Sequence, residues 1–292
     1  MFFFKKNDHT SKGTVAVLGT SPLAMFLVHI LQQNNMDVIV LDTMKKSKSE
    51  KAENWMLKSS FQNQSFSFKY CDTLNTKPEY CFLASSFDEY KSDLLMLSDE
   101  MLTKVPVVNF ASFYNHKIIE QMDNVEEIRA YFNGWLVKNK RDIIVFNRVS
   151  DVDICCERKI LGDLQHILYS NKINIKERKN TKGLFWKNFI PFVLGNIFVL
   201  AYDKDVSKLM EIDDIRKEIR DASSECVKML KQIKIEVDEA EVLPAIYAFP
   251  DGYVSEFNSL LGVSVLTDVF VKPDYFNTPV LFNVLAKAVN KY

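Results

Sequence analysis

Residues 14–42 constrain the fold of this chain more than any other segment, because two hydrophobic periodicities alternate within one short span. Thr14 to Leu18 is a β-branched and apolar run, ended by Gly19, with the pattern of a buried strand. Leu23, Phe26, Leu27, Ile30 and Leu31 then recur at i, i+3, i+4, i+7 and i+8, which is one face of a helix. Ser21 suits the helix cap, and Pro22 suits the first turn, where a missing N–H costs nothing. Val38 to Leu41 is a second apolar strand, closed by Asp42, 23 positions after Gly19. Strand, tight turn, helix and strand make a βαβ unit, the building block of an open α/β sheet.

Such a turn carries its own chemistry. The N-terminus of its helix offers backbone N–H groups and a partial positive charge to phosphate. An acidic residue at the end of the second strand can hydrogen-bond a ribose hydroxyl. The glycine fingerprint of that site is G-x-G-x-x-G/A, and here it reads Gly19-Thr20-Ser21-Pro22-Leu23-Ala24. The first glycine and the small last residue are present, while Ser21 stands where the second glycine lets the backbone approach a pyrophosphate. Two readings stay open at this point. One is a dinucleotide cradle formed by Gly19, Thr20, Ser21, Leu23 and Ala24 with Asp42; the other is an ordinary βαβ unit without a nucleotide.

Composition narrows the function classes. A chain of 292 residues suffices for two ordinary domains, and its 47% apolar and 26% charged content is that of a globular protein. A formal net charge of −1 leaves no basic excess to neutralise phosphates, which argues against nucleic acid as a partner. Five cysteines without C-x-x-C or Cys/His spacing suggest neither a disulfide framework nor a metal site, so a reducing cytoplasm is the expected setting. The adjacent Cys155 and Cys156 sit in a predicted strand and should point to opposite faces. Met1-Phe2-Phe3-Phe4-Lys5-Lys6 is too short for a signal-peptide core. The longest apolar run, Phe189 to Tyr202, is 14 residues and contains Pro191 and Gly195. A membrane span needs about 20 residues, so this run reads as a buried helix and no membrane partner is expected.

Strand and helix patterns continue to alternate after the first unit. Phe66–Tyr70, Tyr80–Leu83, Val105–Phe110, Ile143–Phe146 and Val152–Cys155 read as strands. Asp88–Leu102 reads as a helix, followed by a polar helical segment near His116 and a short helix over Gly162–Ser170. That alternation predicts a mostly parallel sheet with ligands at the carboxyl ends of its strands. The pattern changes across the polar run Glu177 to Lys182. Beyond it the periodicity is helical: about Leu184–Tyr202, Asp205–Lys231 and Asp238–Ala248, then two further helices from Ser255 and from Thr278-Pro279. The expected organisation is therefore residues 1–180 as one domain and 181–292 as a second, all-helical one.

Three segments of the second half narrow the architecture further. Leu184-Phe185-Trp186-Lys187 opens the long apolar helix, Val254-Ser255-Glu256-Phe257-Asn258-Ser259-Leu260-Leu261-Gly262 follows about 70 residues later, and Phe276-Asn277-Thr278-Pro279 precedes the last helix. In this order they resemble the ketopantoate reductase (2-dehydropantoate 2-reductase) family, as a divergent or alternative member, over residues 14–292. The resemblance implies an α/β Rossmann-type dinucleotide-binding domain followed by an all-α domain of the 6-phosphogluconate dehydrogenase-like type. It implies reduction of ketopantoate, a small 2-oxo acid, to pantoate in pantothenate biosynthesis, with a homodimer as the candidate assembly. The family's catalytic lysine, which binds the 2-oxo group and supplies its proton, falls on Lys187. Its substrate-contacting glutamate falls on Glu256, with Asn258 in place of the following aspartate. The asparagine of its "QNG" loop falls on Asn109. A register shifted by one would match Asn196 to a family asparagine and place Asn188 at the lysine; Lys187 is preferred because asparagine cannot donate the proton. The family's second lysine falls on Ser86, and the arginine that reads a 2′-phosphate falls on Thr43.

The cofactor is the point on which sequence and resemblance diverge. The family generally uses NADPH, and Lys45, Lys46 and Lys48 could meet a 2′-phosphate. Asp42 would repel that phosphate and favours NADH, so NADPH is the cofactor the resemblance leads us to expect, with NADH left open. Taken without the resemblance, Lys187 is an ordinary surface lysine, Glu256 an ordinary first-turn acid and Asn109 an ordinary strand-ending residue. None of His9, His29, His116 and His166 lies in an acid–base or metal-ligand pattern, so the reaction is expected to be borne by a cofactor. A non-catalytic dinucleotide sensor and a reductase of a different 2-oxo acid are the rival expectations.

Overall fold

The computed structural model of the chain describes residues 13–42, 52–59, 63–85, 90–98, 100–110, 126–133, 135–139, 142–146, 152–156, 162–168, 173–180, 183, 186, 190, 194, 212–232 and 234–237. Among the described residues twelve strands form two sheets. The larger contains β1 (Thr14–Leu18), β2 (Asp37–Leu41), β5 (Tyr70–Cys71), β6 (Tyr80–Leu83), β7 (Pro106–Asn109), β8 (Glu126–Asn133), β11 (Val152–Cys156) and β12 (Ile173–Glu177). Its strand order is β12-β11-β8-β7-β6-β1-β2-β5. The run from β5 to β8 is parallel throughout; β11 is antiparallel to β8, and β12 is parallel to β11.

The parallel part explains itself from sequence. Strands covered on both faces must be apolar at every position, and Val15, Ala16, Val17 and Leu18 are all fully buried. Their pleat divides the core in two. Val15 and Val17 join Phe82, Ala84, Val108 and Phe110 beneath helix α1 (Pro22–Gln33). Ala16 and Leu18 join Cys81, Leu83 and Val107 beneath helix α2 (Tyr90–Met96), with Leu94 and Leu97. Each large side chain buried this way contributes roughly 1.5–3 kcal/mol.

The smaller sheet was not legible in the pattern of strands. It contains β3 (Glu53–Ser59), β4 (Asn63–Phe68), β9 (Trp135–Asn139) and β10 (Asp142–Phe146), in the order β4-β3-β10-β9. Two antiparallel hairpins, one inserted after β2 and one after β8, join by parallel pairing of β3 with β10. The single strand predicted over Phe66–Tyr70 is in fact the end of β4 and the start of β5, which belong to different sheets. Ile143–Phe146 likewise lies in the small sheet and not the large one.

This second sheet changes what α1 is. The sequence shows one apolar stripe, yet all residues from Ala24 to Leu31 are buried, His29 included. Helices apolar all round are buried all round, and Met25 and Val28, outside the stripe, carry that signal. Trp55, Leu57, Phe66 and Phe68 share one core with α1. Phe66 lies against His29 with ring centroids 5.1 Å apart, and Gln32 Nε2 donates to the Ser67 carbonyl at 2.8 Å. On its other flank, Asn34 Nδ2 donates to the Ile167 carbonyl at 2.9 Å, tying α1 to the helix Gly162–Leu168.

Three further expectations are adjusted. The helix expected over Asp88–Leu102 is α2 followed by a 3₁₀ turn at Glu100–Leu102. Strands β8 and β12 went unpredicted, and the polar helical segment near His116 lies outside the described residues. Cys155 and Cys156 do lie on opposite faces of β11, and both are buried because the strand is interior to the sheet.

Beyond residue 180 every described residue of regular structure is helical. Asn180 Oδ1 accepts from the Gly183 N–H at 2.7 Å, and Gly183, Trp186, Ile190 and Leu194 are each helical, the last three buried at i, i+4 and i+8. The helix Asp213–Gln232 opens with Asp213 and Asp214 and ends near Lys231, complementing its dipole, and buries Ile215, Ser223, Val227 and Leu230. The remaining helices expected to follow, from Asp238 onward, lie outside the described residues.

Candidate functional site

The order β5-β2-β1-β6-β7-β8 reverses direction between β1 and β6. From β1 the chain builds outward through β2 to β5, then returns to lay β6 on the other side of β1. Register brings the carboxyl ends level, with Leu18 opposite Leu41 on one side and Leu83 on the other. Helices leaving adjacent strands to opposite faces open a crevice at such a reversal, and ligands of open α/β sheets bind there.

Gly19 forms the floor of this crevice. Its φ of +107° lies in the region that disfavours side chains, and a Cβ there would stand 2.8 Å from the Ser85 Cα and 3.0 Å from the Ala84 carbonyl oxygen. Its N–H donates to the Leu41 carbonyl at 3.3 Å, holding the turn to the end of β2. Glycine is required here both by conformation and by contact.

Ser21 caps α1 from an extended conformation, and its Oγ accepts from the Ala24 N–H at 3.1 Å. The same hydroxyl donates to the Ala84 carbonyl, clipping the turn onto the extension of β6. The fingerprint position that lacks its glycine is therefore used to join two strands' ends through the helix cap. Pro22 has no N–H and Ser21 takes that of Ala24, so the Ser21 and Leu23 N–H groups are the first-turn donors without an intrahelical carbonyl. Together with the dipole of α1 they suit a phosphate group. Thr20 sits in the turn, half-buried.

Asp42 follows β2 directly and is only 3% exposed. Its backbone N–H donates to the Cys71 carbonyl at 3.4 Å, so the β2–β5 pairing fixes its place. The residues present thus fit a dinucleotide: a glycine turn, a helix N-terminus and a buried acid at the end of the second strand.

The opposite wall holds polar groups that were not anticipated. Ser85, after β6, donates through Oγ to Asp93 Oδ2 on α2, and both are buried. Asp93 lies four residues before Leu97, on the apolar face of α2; an acid at that spacing was the signal for a buried partner. Burial, and then the nearby Asp93, push the Cys81 thiol well above its usual range, so it stays protonated and packs as an apolar group. Cys156 is likewise pushed up to about 12 by burial.

Asn109 ends β7 and is wholly buried, its Nδ2 donating to Glu127 Oε1 at 2.5 Å. Glu127 Oε2 in turn pairs with Arg129 Nε at 3.2 Å. Glu127 and Arg129 alternate along β8 with the buried Ile128 and Ala130, a pattern that marks them as one polar face. The structure therefore brings Gly19, Thr20, Ser21, Leu23, Ala24, Asp42 and Asn109 to the carboxyl ends of adjacent strands. Lys187, Glu256, Asn196, Asn258, Thr43 and Ser86 lie outside the described residues. Among the described residues no cluster of side chains suits a metal ion, and no helix is long and apolar enough to cross a membrane.

No protein-family model matches the chain, and no curated protein matches it. Solved structures do. The chain is similar to D-mandelate dehydrogenase in complex with NADH and anilino(oxo)acetate, at 14% identity and a TM-score of 0.67, over 96% of this chain and 92% of that one. A dimeric ketopantoate reductase from Staphylococcus aureus aligns at 13% identity and a TM-score of 0.62, over 95% and 98% of the two chains. A 2-dehydropantoate 2-reductase from Geobacter metallireducens aligns at 11% and 0.58, over 94% and 99%. At these identities the likeness establishes a shared fold, that of Rossmann-type dehydrogenases, across nearly the whole chain.

Proposed function

We propose that this chain is an NAD(P)H-dependent reductase of a small 2-oxo acid, with ketopantoate, reduced to pantoate in pantothenate biosynthesis, as the first substrate to test. The observation that carries this reading is the strand reversal between β1 and β6, with Gly19 and the N-terminus of α1 at its floor and Asp42 beside it. Structures of the same fold include one solved with NADH and an oxo-acid ligand and several ketopantoate reductases, one of them dimeric, which supports the substrate class and makes a homodimer the candidate assembly. All five cysteines are free thiols, in keeping with a cytoplasmic setting.

In this reading residues 1–180 hold the dinucleotide and residues 181–292 complete the substrate site. The bound dinucleotide supplies the hydride. Leu23 and the turn would hold its phosphates, and Asp42 its ribose. Hydride addition to a ketone builds negative charge on oxygen, and an ammonium group both stabilises and protonates it. Lys187 takes that role, with Glu256 orienting the substrate beside Asn258, and Asn109 and Asn196 as further substrate-side residues.

The test is the loss of reduced-nicotinamide absorbance with ketopantoate and either NADH or NADPH. Saturable oxidation, cut by Lys187→Ala at least about a hundredfold in turnover with cofactor affinity nearly unchanged, is the expected result. Unchanged turnover in that variant would remove Lys187 from the chemistry. A second reading, a non-catalytic dinucleotide sensor, is favoured by the absence of the family's second lysine, whose position Ser86 occupies. Cofactor binding with no turnover on any 2-oxo acid would select it.

A further inference from the structure

Building on the dinucleotide reading above, we infer that Asp93 is a positioning residue for that site: through Ser85 it fixes the phosphate turn from behind, without touching the ligand. Three observations carry this. The Ser85 hydroxyl donates to Asp93 Oδ2, a bond from the second residue past β6 to α2. Asp93 is fully buried, on the helix that gives Leu94 and Leu97 to the apolar core, and Ser85 is buried with it. Ala84 and Ser85 in turn form the surface on which the turn rests. A Cβ on Gly19 would lie 2.8 Å from the Ser85 Cα and 3.0 Å from both the Ser85 nitrogen and the Ala84 carbonyl oxygen. The Ser21 hydroxyl, which caps α1, donates to that same carbonyl.

A buried acid in an apolar core needs a reason. Taking a carboxylate out of water costs free energy that its hydrogen bonds only offset, and leucine would fill the same place without that cost. What leucine lacks is direction: a carboxylate oxygen accepts a hydrogen bond at a defined position, and here it fixes Ser85 where the chain leaves β6. The Gly19 N–H bonds to the Leu41 carbonyl at 3.3 Å, and the Ala84 N–H to the Leu18 carbonyl at 3.1 Å. The turn is therefore gripped between the ends of β2 and β6, and Asp93 holds the second of these from α2. A negative charge would by itself disfavour a nearby phosphate. What Asp93 contributes is the hydrogen bond, and a neutral acceptor in its place would serve.

The test is direct binding, with no substrate present, of whichever of NADH and NADPH the wild-type protein binds more tightly. Nicotinamide fluorescence gives the dissociation constant, and chemical denaturation of the same proteins gives their stability. Ser85→Ala combined with Asp93→Leu removes both partners and leaves an apolar pair, an exchange that can be nearly neutral for stability. The denaturation midpoint of this double variant should stay close to wild type while its dissociation constant rises about tenfold. Asp93→Asn keeps an acceptor oxygen and loses the charge, so it should bind within about threefold of wild type. Wild-type affinity in the folded double variant would overturn the inference, making the pair core packing alone, and leave the dinucleotide site standing. A comparable loss in Asp93→Asn would overturn it too, by assigning the effect to charge. Binding of neither nucleotide by folded wild-type protein would overturn both the inference and the reading beneath it. If the double variant does not fold, Ser85→Ala alone decides: unchanged affinity overturns the inference, and a loss of about tenfold supports it.

Discussion

Gly19 shows how much can rest on one missing side chain. Its φ and its 2.8 Å approach to the Ser85 backbone are independent constraints, and both fall at the crevice. Gly19→Ala should cost about 1–3 kcal/mol through backbone strain, with a further penalty from the contact. Chemical denaturation measures that loss, and dinucleotide affinity should fall with it, since the turn must move to admit the methyl group. An alanine variant as stable as the parent would show that the turn relaxes freely. Ser21 makes a contrasting case. Its departure from the fingerprint read as a flaw in the sequence, but its hydroxyl both caps α1 and holds the turn to β6. That second bond links residues 63 positions apart, which no local pattern contains.

At the scale of elements, the helix ends repeat one device with unequal fit. After α1, Asn35 adopts φ +62°, and the N–H groups of Asn35 and Met36 bond to the carbonyls of Gln32 and Leu31. After the helix Asp213–Gln232, Lys234 adopts φ +60°, with the N–H groups of Lys234 and Ile235 bonded to Lys231 and Leu230. Both are Schellman caps, and the residues this motif pairs, Met36 with Leu31 and Ile235 with Leu230, are apolar and buried. Asparagine tolerates this conformation; lysine does so at a cost. Lys234 is exposed, so Lys234→Gly loses no packing and should stabilise the protein by roughly 0.5–1 kcal/mol. A shift of the denaturation midpoint to higher denaturant checks this, and a shift to lower denaturant would refute it.

At the scale of the molecule, the described residues form a Rossmann-type sheet whose first helix is enclosed by a second sheet. His29 lies at that enclosure, between α1 and Phe66, and burial holds its pKa below the usual imidazole value against a smaller opposing bond from Gln64. A base whose folded-state pKa is depressed is neutral in both states above about pH 6.5 and makes no difference there. Below that value the unfolded chain takes up a proton that the folded one refuses, so stability falls as pH falls until the folded-state pKa is passed. Denaturation at about pH 7.5 and about pH 5.5 should show lower stability at the acid end. His29→Leu should flatten the part of that slope due to this residue, and an unchanged slope would assign it to other groups.

Much of the large sheet was legible because its strands are apolar at consecutive positions and its first helix is capped by Ser21-Pro22; those signals are local and survive without partners. The small sheet was not. Asn63-Gln64-Ser65-Phe66-Ser67-Phe68 alternates weakly, and its stability comes from pairing with Glu53–Ser59 and from α1 beneath it. The candidate site divides in the same way. Gly19, Ser21 and Asp42 announced themselves by spacing, because a phosphate turn and a ribose-binding acid are separated by one βαβ unit. Asp93 and Glu127 did not, since their partners Ser85 and Asn109 reach them across neighbouring elements, and Arg129 joins them through Glu127. The sequence by itself determined the βαβ unit, its turn and the helical character of the described residues between 183 and 232, all consequences of periodicity and capping. Only the tertiary structure decided which strands became neighbours, that α1 is buried on every side and that Asp42 is shut away from water, because burial and pairing depend on chain segments that no local window contains.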